Sequence, residues 1–291
     1  MKVSFIICYS SSKPMTIFDP VKWEKVDKKL NEQILLSTNK LIKQILSIPV
    51  EKEILLMDNS GDFKTDIKHK DLIITKSHGS WSDKEFDKNK SIFSNIKDKV
   101  HYNFINSNQA ETTALAYNHG LTIATGDYII ISHNDIAYLF DYYSKDSIIK
   151  DLINHLEDNN LEYITIDKKP RKASSPEGYE YFADCYWFLC RGDFYKKHNI
   201  WVDWCRGDNN HLATITCIEK ELPFQHLPGY YETGGIEREN QNHFIKTNYP
   251  LLFEKSINFH IFNNKLFLAH TKGGTGLKRL TSKRYNASSI N

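Results

Sequence analysis

The 291 residues contain no apolar run approaching the roughly 18 needed for a membrane-spanning helix. Met1 to Tyr9 has a single lysine and a short apolar stretch, without the cleavage pattern of a signal peptide. It reads directly into a strand, and a cytoplasmic location is the expectation. Cysteine is scarce: Cys8, Cys185, Cys190, Cys205 and Cys217, an odd number with no C-x-x-C pair. That supports neither a disulfide framework nor a zinc ribbon, and leaves reduced, partly buried thiols as the expectation. An excess of one charge is also missing, since 38 Lys+Arg against 36 Asp+Glu leave a net charge of +2. At the level of the whole chain this is no electrostatic footprint for nucleic acid. Internal repeats and long low-complexity tracts are absent. No G-x-G-x-x-G follows a predicted strand, which sets aside a nicotinamide-dinucleotide fold. What remains is ordinary globular usage, 40% apolar and 25% charged, in a length suited to one large domain or two halves sharing a core.

The first half alternates strand and helix patterns. Lys2 to Tyr9 is apolar and runs into Ser10-Ser11-Ser12-Lys13-Pro14, a loop signal. Val26, Leu30, Ile34, Leu41 and Ile45 recur at helical spacing until Pro49. Short strands are predicted at Glu53 to Met57, Leu72 to Thr75 and Tyr102 to Ile105, with a polar surface excursion over Ser77 to Asp98. A helix over Ala110 to Ala124 closes at Gly126-Asp127. Tyr128 to Ile131 then reads as a strand buried on both faces. This alternation predicts an α/β fold with a mainly parallel, doubly wound sheet, whose ligands bind at the carboxyl ends of the strands. Tyr9, Asp58 and His133-Asn134-Asp135 stand at those ends. Further on, helices are predicted at Ser147 to Leu156 and Asp208 to Leu222. Strands are predicted at Tyr163 to Ile166, Tyr181 to Cys190, Phe224 to Leu227 and Leu266 to Ala269.

The segment Thr112 to Ile136, TTALAYNHGLTIATGDYIIISHNDI, carries the chemistry. A small-residue helix leads into a buried strand that delivers the Asp135 carboxylate at its end. A carboxylate there suits a divalent cation, and the cation suits a diphosphate. On chemistry alone Asp135 serves equally as a helix N-cap or turn former.

This segment resembles the core of family-two glycosyltransferases, in particular their rhamnosyltransferase-like branch. Ala116, Asn118, Gly120, Ala124, Gly126, Asp127, Tyr128 and Asp135 fall at positions matching the family pattern. Val3 to Tyr9 looks like the family's first strand, and Glu53 to Ser60 like its second, whose Asp contacts the nucleotide base. The resemblance covers about residues 1–140 and then only scattered landmarks. It implies a GT-A type fold: a Rossmann-like nucleotide-sugar-binding half over 1–140, continuous with a smaller acceptor-binding half over 141–291 that ends in a Gly-rich loop. It also implies a nucleoside-diphosphate-sugar donor, a divalent cation (Mn²⁺ or Mg²⁺), a glycan or lipid-linked acceptor, and inversion of configuration.

The residue roles follow from the same resemblance. Tyr9, Asp58, Asn118, His133 and Lys272 fall to the donor, and Asp135 and His270 to the metal. Asp208 is the expected base that deprotonates the acceptor hydroxyl. Asp208 is also an N-cap by residue type, and Asp203 is its rival. Trp204, beside it, is the expected acceptor wall, whereas Trp187 and Phe188 read as core. Around His270, the Gly273-Gly274 loop with Lys272, Lys278 and Arg279 suits phosphate, with a basic surface tail as the plainer account. Lys168 to Lys172 is a basic run for which a solvated loop competes with a peripheral contact to anionic lipid.

The chain departs from the family pattern at four places. His133 occupies the first place of the Asp-x-Asp or Asn-x-Asp metal motif, Thr112-Thr113 replaces the Gly-Phe pair before the helix, Tyr117 stands where many relatives carry Arg, which removes a diphosphate contact, and Gly207 stands where the family has Glu before the base. Two other readings stand beside the first. One is a catalytically degenerate binding module of the same fold. The other is a sugar nucleotidyltransferase, which Ser10-Ser11-Ser12 after the first strand disfavours because that class carries G-x-G-T-R-L there.

Overall fold

The apolar runs of the first half become the centre of one sheet. The computed structural model describes residues 1–9, 12–16, 19–25, 28–58, 61–76, 108–139, 148–167, 183–200, 202, 211–227, 229–230, 257–263 and 265–271. In chain order the strands are β1 (Lys2–Tyr9), β2 (Ser12–Thr16), β3 (Asp19–Lys25), β4 (Glu51–Asp58), β5 (Leu72–Lys76), β6 (Tyr128–Ser132), β7 (Ile136–Tyr138), β8 (Tyr163–Asp167), β9 (Ala183–Arg191), β10 (Phe224–Leu227), β11 (Gly229–Tyr230), β12 (Ile257–Phe262) and β13 (Lys265–Thr271). The helices are α1 (Lys28–Ser47), α2 (Asn108–Ile123), α3 (Ile148–Asp158), α4 (Phe194–His198) and α5 (His211–Glu219).

Seven strands pair in the order β10-β8-β9-β6-β1-β4-β5. Only β9 runs antiparallel to its neighbours. This is the mainly parallel α/β sheet that the alternating pattern predicts. Both faces are covered. Phe5, Ile7 and Tyr9 of β1 pack with Ile34, Leu41 and Ile45 of α1 and Ile149 and Leu152 of α3. Ile6 and Cys8 pack on the opposite side with Ala116 and Tyr117 of α2, Phe194 of α4 and Cys217 of α5. A strand buried on two sides has no reason to alternate, so these segments read as unbroken apolar runs. Trp187 and Phe188 lie in this core, as their sequence context predicts. Cys8, Cys190 and Cys217 are buried thiols outside any disulfide, and burial pushes the Cys217 thiol up to about 12. None of the described helices is long and apolar enough to cross a membrane.

Two glycines of the matched segment owe their identity to close approach. A Cβ on Gly120 would stand 2.5 Å from Cγ2 of Ile6, where α2 crosses β1. A Cβ on Gly126 would lie 2.6 Å from the backbone nitrogen of Ser4, and the Gly126 N–H donates to Ser4 Oγ. Beside it, Asp127 accepts from the Lys2 N–H at 2.8 Å. The buried Glu53 carboxylate accepts from Lys2 Nζ, Ser4 Oγ, Thr125 Oγ1 and the Thr125 N–H at 2.5–2.8 Å. These contacts fasten the starts of β1, β4 and β6 together at the edge opposite their carboxyl ends.

The second half adds a four-stranded antiparallel sheet in the order β11-β12-β13-β7. One turn, His133–Asn134–Asp135, joins β6 of the large sheet to β7 of the small one. The loop expected over Ser10 to Pro14 is corrected in part: Ser12–Thr16 pairs with Asp19–Lys25 as a two-stranded ribbon. Such a ribbon has only edges, and its register shifts between Pro14 and Thr16, the two settings in which a strand accepts proline. The strand expected at Tyr102 to Ile105, the excursion at Ser77 to Asp98 and the basic run at Lys168 to Lys172 lie outside the described residues.

Candidate metal and nucleotide site

The chain leaves β1 toward β4 on one side and returns to β6 on the other, so the strand order reverses between β1 and β6. In open α/β sheets the crevice outside the carboxyl ends at such a point is where ligands bind. Here that crevice carries the β6–β7 turn.

Helix α1 sets the turn's shape. Ser37 Oγ donates to the Asn134 carbonyl, and Asn134 Nδ2 donates to Thr38 Oγ1, each at 3.2 Å. Gln44 grips the backbone of Tyr138 twice, its Nε2 donating to the carbonyl at 2.7 Å and its Oε1 accepting the N–H at 3.1 Å. Asn134 is thus drawn inward, and the side chains on either side of it, His133 and Asp135, come together. Antiparallel pairing then brings in a third residue. The register of β13 on β7 sets His270 opposite Ile136, one position from Asp135.

The result is a compact group. His133 Nδ1 is 3.7 Å and His270 Nε2 is 3.5 Å from Asp135 Oδ1. Among the described residues, His133, Asp135 and His270 offer three ligand atoms all within 4.8 Å of one another. Asp135 and His270 are buried, and His133 is the most open member, with 19% of its side chain exposed. Behind His270 lies His260 on β12. Burial and the facing His270 push its imidazole down to about 3, so it stays neutral. Tyr117 donates to the Ser132 carbonyl at 3.2 Å, and its ring lies parallel to that of His133 at 6.3 Å.

This donor set fits a divalent cation. Two donors about 2.1 Å from one ion stand roughly 3.0–3.4 Å apart in tetrahedral or octahedral arrangements, and the two separations from Asp135 Oδ1, 3.5 and 3.7 Å, lie a few tenths of an ångström wider. Two imidazoles and one carboxylate leave further coordination positions for phosphate oxygens.

The other expected site residues are placed differently. Asp58, at the end of β4, accepts the N–H groups of Gly61 at 2.8 Å and Phe63 at 3.0 Å, one on each carboxylate oxygen. It therefore shapes the turn, where Gly61 takes a φ of 68°. That turn sets the Phe63 ring edge-on to Tyr9 at 4.8 Å. Tyr9 is fully buried, its hydroxyl donating to Asn31 Oδ1 at 3.0 Å. Asn118 is also fully buried. Its Nδ2 donates to the Val202 carbonyl at 2.7 Å, and its Oδ1 accepts the Val202 N–H at 2.8 Å. Asp208, Trp204, Asp203 and Lys272 lie outside the described residues. Sequence reasoning missed Ser37, Thr38 and Gln44. Their signal was polarity on the inward stripe of α1, among Ile34, Leu41 and Ile45.

No family profile matches the chain, and no curated protein matches it. Among solved structures the chain is similar to S. aureus TarS, at 10% identity over 74% of this chain and 55% of that one, with a TM-score of 0.40. It is similar to Drosophila β1,4-galactosyltransferase 7, in a complex with manganese, UDP-Gal and xylobiose, at 13% identity over 77% and 64% of the two chains, with a TM-score of 0.37. It is also similar to 4-diphosphocytidyl-2C-methyl-D-erythritol synthase from Anaerococcus prevotii, at 13% identity over 86% and 97%, with a TM-score of 0.38. The matched part covers 55% and 64% of the first two of these proteins.

Proposed function

We propose that the protein is a GT-A type glycosyltransferase that takes a nucleoside-diphosphate sugar and a divalent cation and transfers the sugar to a hydroxyl of a glycan or lipid-linked acceptor. The observation that carries this reading is the convergence of Asp135, in the turn between the two sheets, and His270, on β13 of the small sheet, at the crevice where the strand order reverses. The matching positions from Ala116 to Asp135 support it.

In this reading His133, Asp135 and His270 hold the cation. Bound there, the cation supplies positive charge to the diphosphate as it leaves. The turn held by Asp58 and backed by Tyr9 shapes the base side of the crevice. Lys272 adds charge beside the diphosphate, Asn118 holds the backbone at Val202, and Trp204 forms the acceptor wall. Asp208, assigned on the motif alone, takes the proton of the acceptor hydroxyl. The acceptor oxygen forms a bond to the anomeric carbon as the bond to the diphosphate oxygen breaks. The electron pair leaves on the diphosphate, and the configuration inverts.

The test is thermal stability with a panel of nucleoside diphosphates, with and without Mn²⁺, followed by release of nucleoside diphosphate from the matching sugar donor. One nucleotide should stabilise the protein by about 2.7 kcal/mol at roughly 100 times its dissociation constant. The effect should need the cation and vanish in Asp135→Ala. Absence of any shift at millimolar nucleotide refutes the reading. Binding without donor turnover, with acceptors supplied, makes the protein a degenerate module.

A further inference from the structure

Helix α2 spends two adjacent side chains on backbone that lies far from them in sequence. The Tyr117 hydroxyl donates to the carbonyl of Ser132, the last residue of β6 and the one before His133. Asn118 reaches into the second half of the chain, where its amide donates to the Val202 carbonyl at 2.7 Å and accepts the Val202 N–H at 2.8 Å. Val202 belongs to none of the described strands or helices, so this one side chain does for it what a neighbouring strand would do. A planar amide bonded at both ends fixes the backbone in rotation as well as position. Gln44 grips Tyr138, just beyond Asp135, in the same manner. Both ends of the arrangement are firm. Asn118 and Val202 are fully buried, and α2 sits so close to β1 that Gly120 leaves no room for a Cβ. Val202 shares its apolar cluster with Tyr117 and with Ala213 and Cys217 of α5. The chain therefore enters and leaves residues 203–210 from one packed cluster. Consecutive Cα atoms stand about 3.8 Å apart, so a shift of Val202 is passed straight to the next two residues, Asp203 and Trp204.

We infer that Asn118 is a positioning residue for the acceptor and not a contact of the donor, and that Tyr117 and Asn118 together set the spacing between the diphosphate end and the acceptor end of the crevice. The inference rests on the reading of the protein as a glycosyltransferase, and names the residues that align its two halves. Both polar atoms of the Asn118 amide are engaged by Val202 in a place closed to solvent, so the donor role implied by its place in the motif is taken from it. Transfer needs the acceptor oxygen in line with the bond that breaks, and a misplacement of about 1 Å costs about a hundredfold in rate. Hydrolysis of the donor makes no such demand, because water is small and arrives without a wall to seat it. Loss of the Asn118 clamp therefore separates the two reactions.

The experiment measures both fates of the sugar on the full chain with Mn²⁺. The donors are UDP-galactose, UDP-N-acetylglucosamine, GDP-mannose and dTDP-rhamnose, and the acceptors are p-nitrophenyl hexosides. Release of nucleoside diphosphate without acceptor gives hydrolysis, and the glycosylated p-nitrophenyl product gives transfer. Asn118→Ala should lower transfer about a hundredfold more than hydrolysis. Hydrogen exchange should speed up in the peptide spanning Val202 and not over residues 129–138. Asn118→Ser, too short to reach both Val202 groups, should shift the ratio in the same direction, and it serves where Asn118→Ala does not fold. Tyr117→Phe should lower both rates together and speed exchange over residues 129–138 instead. A purely structural role would scale both rates by the folded fraction and leave their ratio where it was. That unchanged ratio, with a wild type that transfers, overturns the inference and leaves the glycosyltransferase reading standing. A wild type that hydrolyses a donor but glycosylates no acceptor also overturns the acceptor role. A wild type that releases no nucleoside diphosphate from any donor overturns the glycosyltransferase reading and takes the inference with it; exchange at Val202 still slowed by Asn118 would then mark the clamp as part of the fold alone.

Discussion

Glu53 offers the sharpest stability test. Its carboxylate is 6% exposed, yet four donors from Lys2, Ser4 and Thr125 surround it. Burial alone would raise its pKa. The hydrogen bonds from Lys2, Ser4 and Thr125 overcome that and hold it down at about 2, from an ordinary 4.5. A carboxylate held that far down corresponds to about 3 kcal/mol of folding stability at neutral pH. Because the folded pKa is the lower one, this contribution is complete above the unfolded value and fades as pH falls through 4.5 toward 2. At about pH 3 roughly 1 kcal/mol of it should remain. Glu53→Gln keeps the shape but loses the charge, and turns an NH₂ group toward donors. Urea denaturation of both proteins at about pH 6 should separate them by about 3 kcal/mol, and the gap should narrow by about 2 kcal/mol near pH 3. A gap below about 1 kcal/mol at neutral pH, or one that does not narrow with acid, would refute the account of this carboxylate.

Three further outcomes are expected. Asn118→Leu strands the Val202 N–H and carbonyl in the core and should cost about 2–4 kcal/mol by denaturant titration; a neutral result would mean the clamp is dispensable. Gly126→Ala places a methyl against the Ser4 backbone and should destabilise by about 1–3 kcal/mol, with melting temperature as the readout and an unchanged value counting against the close approach. Asp58→Ala releases the N–H groups of Gly61 and Phe63, so their hydrogen exchange should speed up by about tenfold or more. Nucleotide affinity should fall with it, and unaltered exchange would show that the turn holds itself.

The large sheet was legible because its strands are buried on both faces. Phe5 to Cys8 and Ile129 to Ile131 have no polar side to show, and α1 between them carries Ile34, Leu41 and Ile45 at helical spacing. The small sheet was not legible. Strand β7 is only three residues long, and its partner β13 joins it from a distant part of the chain, so local periodicity holds no trace of the pairing. The candidate site divides in the same way. Asp135 and His270 stood out because each ends a strand beside turn or glycine signals. The direction in which His133 points depends on Ser37 and Thr38 drawing Asn134 inward, a tertiary fact that no spacing within the turn encodes. Asn118 and Asp58 matched positions in a pattern, but the pattern could not say that their polar atoms are engaged by backbone.

The β6–β7 turn and strand β13 touch at one spot, yet residues 135 and 270 stand far apart along the chain. An ion held by both would close a long covalent loop, as a disulfide does, by limiting the freedom of the unfolded chain. Unlike a disulfide, this cross-link would form and dissolve with the concentration of free ion. The thermal stability of the whole molecule would then report the metal content of its surroundings.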